Sequence, residues 1–349
     1  MSVPRVMVVG SHLGYAEHMD AGMIRAFKAL GYAVETFDYR ASAVAPSWLK
    51  RLVPAAVRHR LNLRRVASVD AAESRAQNFD FIARLDRARP ELLLCLQAER
   101  LTAASLEEAR RRGIFTINWI ADEPWRAIPS AVVPLYDLWA TIDPTWAEWL
   151  VARGAAHVEH LPIACDPSVH RPIALTEAER RVWCSPLCFV GGYGEIREKI
   201  LAAVAEDGLA IWGPNWHKSK SASLRRCVRK AALLSRDEWQ RAFAAADVVL
   251  NVHAQGQECL NMRVFEAMAA RVCLLTDYKR DVDRVLGGVV ESFRSPDELR
   301  GKSRALLADP DRRRTLAQKA YETVMSAHTF AHRGRKILDW FEKAERHSS

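Results

Sequence analysis

Two carboxylates with seven residues between them, Glu258 and Glu266, lie in the densest run of reactive side chains in the chain, Asn251–Glu266. The apolar run Val248–Val252 reads as a buried strand, and Asn261–Ala270 as the helix that follows it. With Glu258 in the connecting loop and Glu266 one turn inside the helix, the pair can flank a single ligand. Ionised carboxylates accept charge-assisted hydrogen bonds, so one can take the hydroxyls of a sugar and the other those of a ribose. A helix start also carries unpaired N–H groups and about half a positive charge, which suits a diphosphate. The backbone of Glu258, Cys259, Leu260 and Asn261 is the candidate cradle. The competing reading of the spacing is an acid at a helix start and a solvated helix residue.

A departing diphosphate gains negative charge and needs cations. The sequence carries no metal-ligand motif, so arginine and lysine must supply them. Arg263 falls in the first helical turn of the main run, and Arg197 and Lys199 follow the glycine-rich turn Gly191–Gly194. Arg263 and Arg197 rank ahead of Lys199 and Lys218, with plain surface charge the alternative for each, and Gly191 and Gly192 belong to the same candidate donor site. His253 stands at a strand end, where it touches the ligand or has a satisfied structural role. Trp212, Gly213 and Trp216 would frame a nucleoside or belong to the core.

In the first half, Gly10–Gly14 is too sparse for a dinucleotide fingerprint, and Asp38 only imitates the ribose acid of dehydrogenases. His12 and Gly14 are candidate contacts near donor sugar and acceptor, or simply turn formers. Asp122 and Glu123 follow a strand, Phe115–Ile120. Asp122 is a candidate sugar or acceptor contact, or a helix cap.

The elements that must hold these residues form two successive series. Strands are expected at 6–10, 34–38, 91–96, 115–120, 135–142 and 158–161, with helices at 19–30, 79–88 and 105–112. After the proline-marked stretch 166–172 the pattern restarts. It gives strands at 187–191, 209–212, 248–252, 272–276 and 289–293, with helices between them and three more at the end. Alternating strand and helix specifies an α/β fold of two doubly wound, Rossmann-like units. The boundaries are 1–168 and 169–332, with a last helix, 333–349, expected to pack back on the first unit. At 349 residues, two domains is the natural number, since one core rarely grows past about 250–300 residues.

The run from Leu250 through Glu258, Arg263 and Glu266 to Asp277 resembles retaining GT-B glycosyltransferases, in particular the spore-maturation (CgeB-type) subgroup. The stretches Phe293–Leu299, Leu307–Pro310 and His328–Arg333, and Leu161–Ile163 with Asp166, resemble the same subgroup; the likeness covers roughly 160–335. It departs from the larger retaining families at Asn261, where glycine is common, and it lacks their paired Arg/Lys segment. The resemblance implies a GT-B fold, two Rossmann-like domains facing across a cleft, with the nucleotide-sugar donor held by the second. Glu266 would bind the donor ribose and Glu258 the transferred sugar, with Asp122 and His12 also at the reacting end. It implies a hexose moved from UDP with retention, the leaving phosphate taking the acceptor proton, and neither metal nor cofactor. The acceptor, whether glycan, lipid, protein or small molecule, is not specified.

Composition sets the partners. Lys and Arg outnumber Asp and Glu by 51 to 42, a net charge of +9, which favours anionic partners. The basic, partly apolar segment 48–65 would rest on an anionic membrane or hold an anionic acceptor, and a second basic stretch, 217–230, would join it; solvated helix faces are the bland alternative. No nucleic-acid motif appears. Seven cysteines without metal spacing, a first strand where a signal peptide would stand, and no long apolar run point to the cytoplasm. Two rivals stay open: a GT-B sugar-nucleotide epimerase, and a non-catalytic binder of nucleotide-sugar or nucleic acid.

Overall fold

The valine- and leucine-rich runs of the first half become strands of one parallel sheet, because helices cover both of its faces and leave no polar alternation to read. The computed structural model describes residues 4–10, 19–39, 67–253 and 258–348. His12, Gly14 and the basic segment 48–65 lie outside the described residues. The first sheet contains β1 (Arg5–Gly10), β2 (Ala33–Asp38), β3 (Leu92–Leu96), β4 (Phe115–Ile120), β5 (Leu138–Thr141) and β6 (Val158–His160). Its order is β2-β1-β3-β4-β5-β6, and all pairings are parallel. The helices are α1 (Met19–Ala29), α2 (Ala67–Ala88), α3 (Ala103–Arg111) and the short α4 (Ala147–Val151).

The second sheet contains β7 (Ser185–Val190), β8 (Leu209–Trp212), β9 (Val228–Lys230), β10 (Ala246–Asn251), β11 (Leu274–Asp277) and β12 (Glu291–Phe293), in the order β12-β11-β10-β7-β8-β9. Its helices are α5 (Glu177–Trp183), α6 (Glu195–Leu201), α7 (Ala222–Cys227), α8 (Arg236–Ala244), α9 (Met262–Ala269), α10 (Arg280–Arg284), α11 (Pro296–Ala308) and α12 (Pro310–Ala327); α13 (Phe330–Ser348) ends the chain. Leu187, Phe189, Ile211, Val248, Leu250 and Leu275 form the centre of this core, each at most 1% exposed. Helix starts follow the side chains that cap them. Ser235 with Glu238, and Thr176 with Glu179, form capping boxes at α8 and α5.

Contacts divide the chain into 1–161 with 334–349, and 162–333. In the first unit, α13 brings Phe341 to 5.8 Å from Phe115, ring to ring, and its Gly334 lies against Leu30 and Ala26. Three elements differ from the sequence pattern. The helix expected from Phe79 already begins at Ala67. The stretch expected as a strand from Leu135 starts only at Leu138, because Asp137 is held by Thr116, whose N–H and hydroxyl donate to its carboxylate at 2.7 and 2.8 Å. The three-residue edge strand β9 is too short and basic to show a period.

Candidate functional site

In the second sheet the chain winds from β7 outward to β9, then returns to β10 and winds the other way. Ligands of open parallel sheets bind at such a reversal, outside the carboxyl ends of the strands. Arg197 spans this point. Its Nε donates to the Val252 carbonyl beyond β10 at 2.9 Å, and its Nη1 to the Gly192 carbonyl beyond β7 at 2.9 Å. Burial first, and then the neighbouring charge of Arg263, push its guanidinium below the ordinary value, while Asp277 pulls the other way. Two guanidinium groups near enough to repel are relieved by an anion placed beside both.

The turn beside Arg197 is built from crossing backbones. Gly213 has φ +153, and a Cβ there would lie 2.2 Å from the Gly191 carbonyl oxygen, so no side chain fits. That carbonyl accepts from Trp216 Nε1 at 2.9 Å, and Gly191 N–H donates to the Trp212 carbonyl at 2.9 Å. Trp216 is fully buried, and Trp212, 5% exposed, stacks on Trp183 at 4.6 Å. Both indoles therefore support the turn from within the protein. Lys199, on α6, is exposed.

Between β10 and α9, His253 ties three elements together. It is 2% exposed. Its Nδ1 lies 2.6 Å from Asp277 Oδ1, at the end of β11, and the backbone N–H of Asn261 donates to its Nε2 at 3.1 Å. An acceptor at Nε2 requires the proton at Nδ1, so the ring is a neutral donor to Asp277. Asn261 caps α9 through Val264 N–H at 3.4 Å, donates to Asn251 Oδ1 at 3.2 Å, and Asn251 donates to Thr276 Oγ1 at 3.0 Å. His253 thus fixes where the helix start lies. Because the Asn261 N–H is taken by His253, it is not open to a ligand, whereas the first-turn N–H groups of Met262 and Arg263 have no intrahelical acceptors. His253→Ala should cost about 2 kcal/mol in denaturant unfolding by orphaning the Asn261 N–H and removing one of the Asp277 carboxylate's hydrogen bonds, and should weaken nucleotide binding about tenfold.

Glu266 is 4% exposed, one turn inside α9. Arg263 Nη1 donates to its Oε2 at 2.6 Å, and His170 Nε2 lies 3.7 Å from its Oε1. His170 Nδ1 accepts from Asp166 N–H at 2.9 Å, so its proton sits on the nitrogen facing Glu266. The Arg263 guanidinium lies about over the Trp239 and Phe243 rings, 5.5 and 5.6 Å from their centres. Glu258 is exposed, whereas Cys259 and Leu260 after it are buried. The two carboxylates therefore differ: one is fixed by a cation, the other stands at the loop surface.

In the first unit, Asp122 and Trp125 are exposed beyond the carboxyl end of β4. Glu123 pairs with Arg126 at 2.8 Å. At the end of β3, Gln97 and Ala98 have φ +68 and +40, and Ala121 N–H donates to Gln97 Oε1 at 3.3 Å. Among the described residues, no group of three or more His, Cys, Asp and Glu side chains is placed to hold a metal, and no helix is long and apolar enough to cross a membrane.

The residues passed over in the sequence are Asp277, Lys279 and His170. Lys279 Nζ lies 3.8 Å from Asp277 Oδ2, at the carboxyl end of β11 beside β10. Their signal is positional: in a parallel sheet the strand after the main run ends beside it. His170 carries no signal of its own, since only the fold brings it to Glu266.

Residues 197–339 match the model of a family described as glycosyl transferase-like. The whole chain is similar to solved structures of low identity. A sucrose-phosphate synthase from Thermosynechococcus elongatus aligns with TM-score 0.63 at 13% identity over 98% of this chain and 99% of that one. An α,α-trehalose 6-phosphate synthase from Burkholderia multivorans gives 0.62 at 10% over 99% and 98%. A protein described as a UDP-N-acetylglucosamine 2-epimerase from Listeria monocytogenes gives 0.55 at 11% over 97% and 95%. A search of curated proteins finds no match. The fold is therefore GT-B, with two Rossmann-like α/β domains.

Proposed function

We propose that the protein is a glycosyltransferase that takes a hexose from a nucleoside diphosphate, UDP by resemblance, and moves it with retention and without a metal. The donor belongs to the second unit, 162–333, and the acceptor to the first, 1–161 with 334–349. The observation that carries this reading is the placement at the strand reversal of two neighbouring cations, Arg197 and Arg263, the second of them paired with the buried carboxylate of Glu266. In this reading the diphosphate lies on the first turn of α9 between Arg197 and Arg263. Glu266 accepts from the ribose hydroxyls, and Glu258 from the hexose. Lys279 and Lys199 stand further out. As the bond from the anomeric carbon to the phosphate oxygen breaks, the diphosphate carries the electron pair away, steadied by the arginines. The acceptor oxygen bonds the anomeric carbon and its proton passes to the leaving phosphate, with Asp122 and His12 on the acceptor side.

The likeness to an epimerase fold keeps a second outcome in view: the diphosphate leaves and the sugar returns altered, without an acceptor. Thermal shift across UDP-, GDP- and TDP-sugars identifies the donor, because a ligand of the folded state raises the melting temperature. Incubation of the best donor followed by NMR then separates the readings. Free UDP with the sugar transferred to an added acceptor or to water is expected. An epimerised nucleotide-sugar supports the second outcome, and no shift with any nucleotide overturns both.

A further inference from the structure

We infer that the outer corner of the second sheet, built from residues 217–220 and 229–233, docks on an anionic membrane surface. From His217 through Arg236 the chain has seven Lys and Arg and no Asp or Glu, against a net charge of +9 for the whole protein. The fold gathers these residues. β9 is the edge strand, Gly213 N–H donates to the Lys230 carbonyl at 2.9 Å, and the segments leaving β8 and β9 emerge side by side.

The corner is rigid. Glu198 Oε1 accepts from Ser219 Oγ at 2.7 Å, Lys220 N–H at 2.6 Å and Ser221 N–H at 3.0 Å, and Tyr193 OH donates to its Oε2 at 2.8 Å. These bonds, the Ser219 hydroxyl foremost, hold the Glu198 carboxyl down at about 2, so the clamp stays ionised. His217, Lys218, Lys220 and Arg229 point outward from this frame as exposed side chains. Lys230 and Arg226 pair with Glu238 and Glu206, but among the described residues no ion pair involves Lys218, Lys220 or Arg229.

Apolar groups stand among the cations. Ala231 and Ala232 are exposed and Leu233 is 80% exposed, while Ile196, two residues from the clamp on α6, is 46% exposed. Basic residues around protruding aliphatic side chains suit anionic headgroups over acyl chains. A single-stranded nucleic acid would instead call for exposed aromatic faces, and Trp212 and Trp216 are buried here. The corner adjoins the Gly191–Gly213 crossing, so docking would bring the proposed nucleotide site close to the bilayer; the inference does not depend on that site's function.

The test is flotation of the full chain with vesicles of phosphatidylcholine alone or with phosphatidylglycerol, at low and high salt. Wild type should float with the anionic vesicles only, and lose the association in high salt. K220E/R229E should weaken it about tenfold or more, and L233E should weaken it severalfold at unchanged salt dependence. Melting temperatures equal to wild type show that the variants are folded. Failure of wild type to bind anionic vesicles overturns the inference. So does undiminished binding by both variants, which would place any membrane contact elsewhere in the chain. Tighter binding to DNA than to vesicles, lost in K220E/R229E, would replace the membrane by nucleic acid. UDP binding is read separately, so either idea can fail alone.

Discussion

Glu266→Ala should abolish the thermal shift given by UDP and its sugars, lowering UDP affinity roughly a hundredfold or more. The side chain is buried, and Arg263 holds one of its oxygens at 2.6 Å. A carboxylate fixed this way presents its free lone pairs in one direction, towards a vicinal diol, without losing side-chain freedom on binding. Each hydrogen bond to a charged group contributes about 1.5–3 kcal/mol, so loss of two amounts to about 3 kcal/mol or more. The alanine also leaves Arg263 facing Arg197 without its counter-charge and lowers the apo melting temperature. The ligand-induced increment, measured from each variant's own baseline, is therefore the quantity to read. Glu266→Gln keeps the shape and one acceptor, and should fall between wild type and alanine. An unchanged increment in Glu266→Ala would remove the ribose assignment while leaving the phosphate site standing.

Arg333→Met should destabilise the protein by about 3–5 kcal/mol and lower its melting temperature by roughly 10 °C, with the nucleotide increment preserved. Arg333 is 7% exposed. It donates to the carbonyls of Pro162, Ile163 and Ala327 at 2.6, 3.0 and 3.1 Å, and reaches His328 Nδ1 at 2.9 Å. Beside it Cys165 N–H donates to the His328 carbonyl at 3.0 Å, and Phe330 N–H to the Cys165 carbonyl at 2.9 Å. The segments that begin and end the second unit are thus stitched together by one arginine. Methionine fills the stem but leaves buried acceptors unsatisfied. Burial, then Arg333 and then His332, hold the His328 imidazole down at about 4, so it is neutral and can accept. A histidine whose folded value is lowered from 6.5 contributes stability that is full above pH 6.5 and is lost as pH falls from there towards 4. Urea unfolding across that window should show wild type losing stability, and Arg333→Met losing less, because the cation that disfavours protonation is gone.

Much of this was legible in residues alone, for reasons that also mark where legibility ends. Val248–Val252 and Leu187–Val190 read as strands because a sheet covered on both faces needs unbroken apolar runs. The helix start at Asn261 was legible from the helical run after the strand, and the structure shows Asn261 capping α9. Arg197 could be ranked as a phosphate cation from its glycine-rich turn, but its bonds to Val252 and Gly192 depend on two strands adjacent only in space. His253 carried two equal readings. Its structural role emerged from Asp277, which lies 24 residues away and joins it only through the β10–β11 pairing. The tryptophans also carried two readings, a frame for a nucleoside or core, and tertiary packing uses the faces of Trp212 and Trp216 against Trp183 and Phe189.

Determination of the structure with UDP tests the central claim most directly. The account predicts the diphosphate on the first-turn N–H groups of Met262 and Arg263, beside the Arg197 guanidinium, with both ribose hydroxyls within hydrogen-bond distance of Glu266. UDP bound at another place in the chain, or a ribose turned away from Glu266, would contradict it.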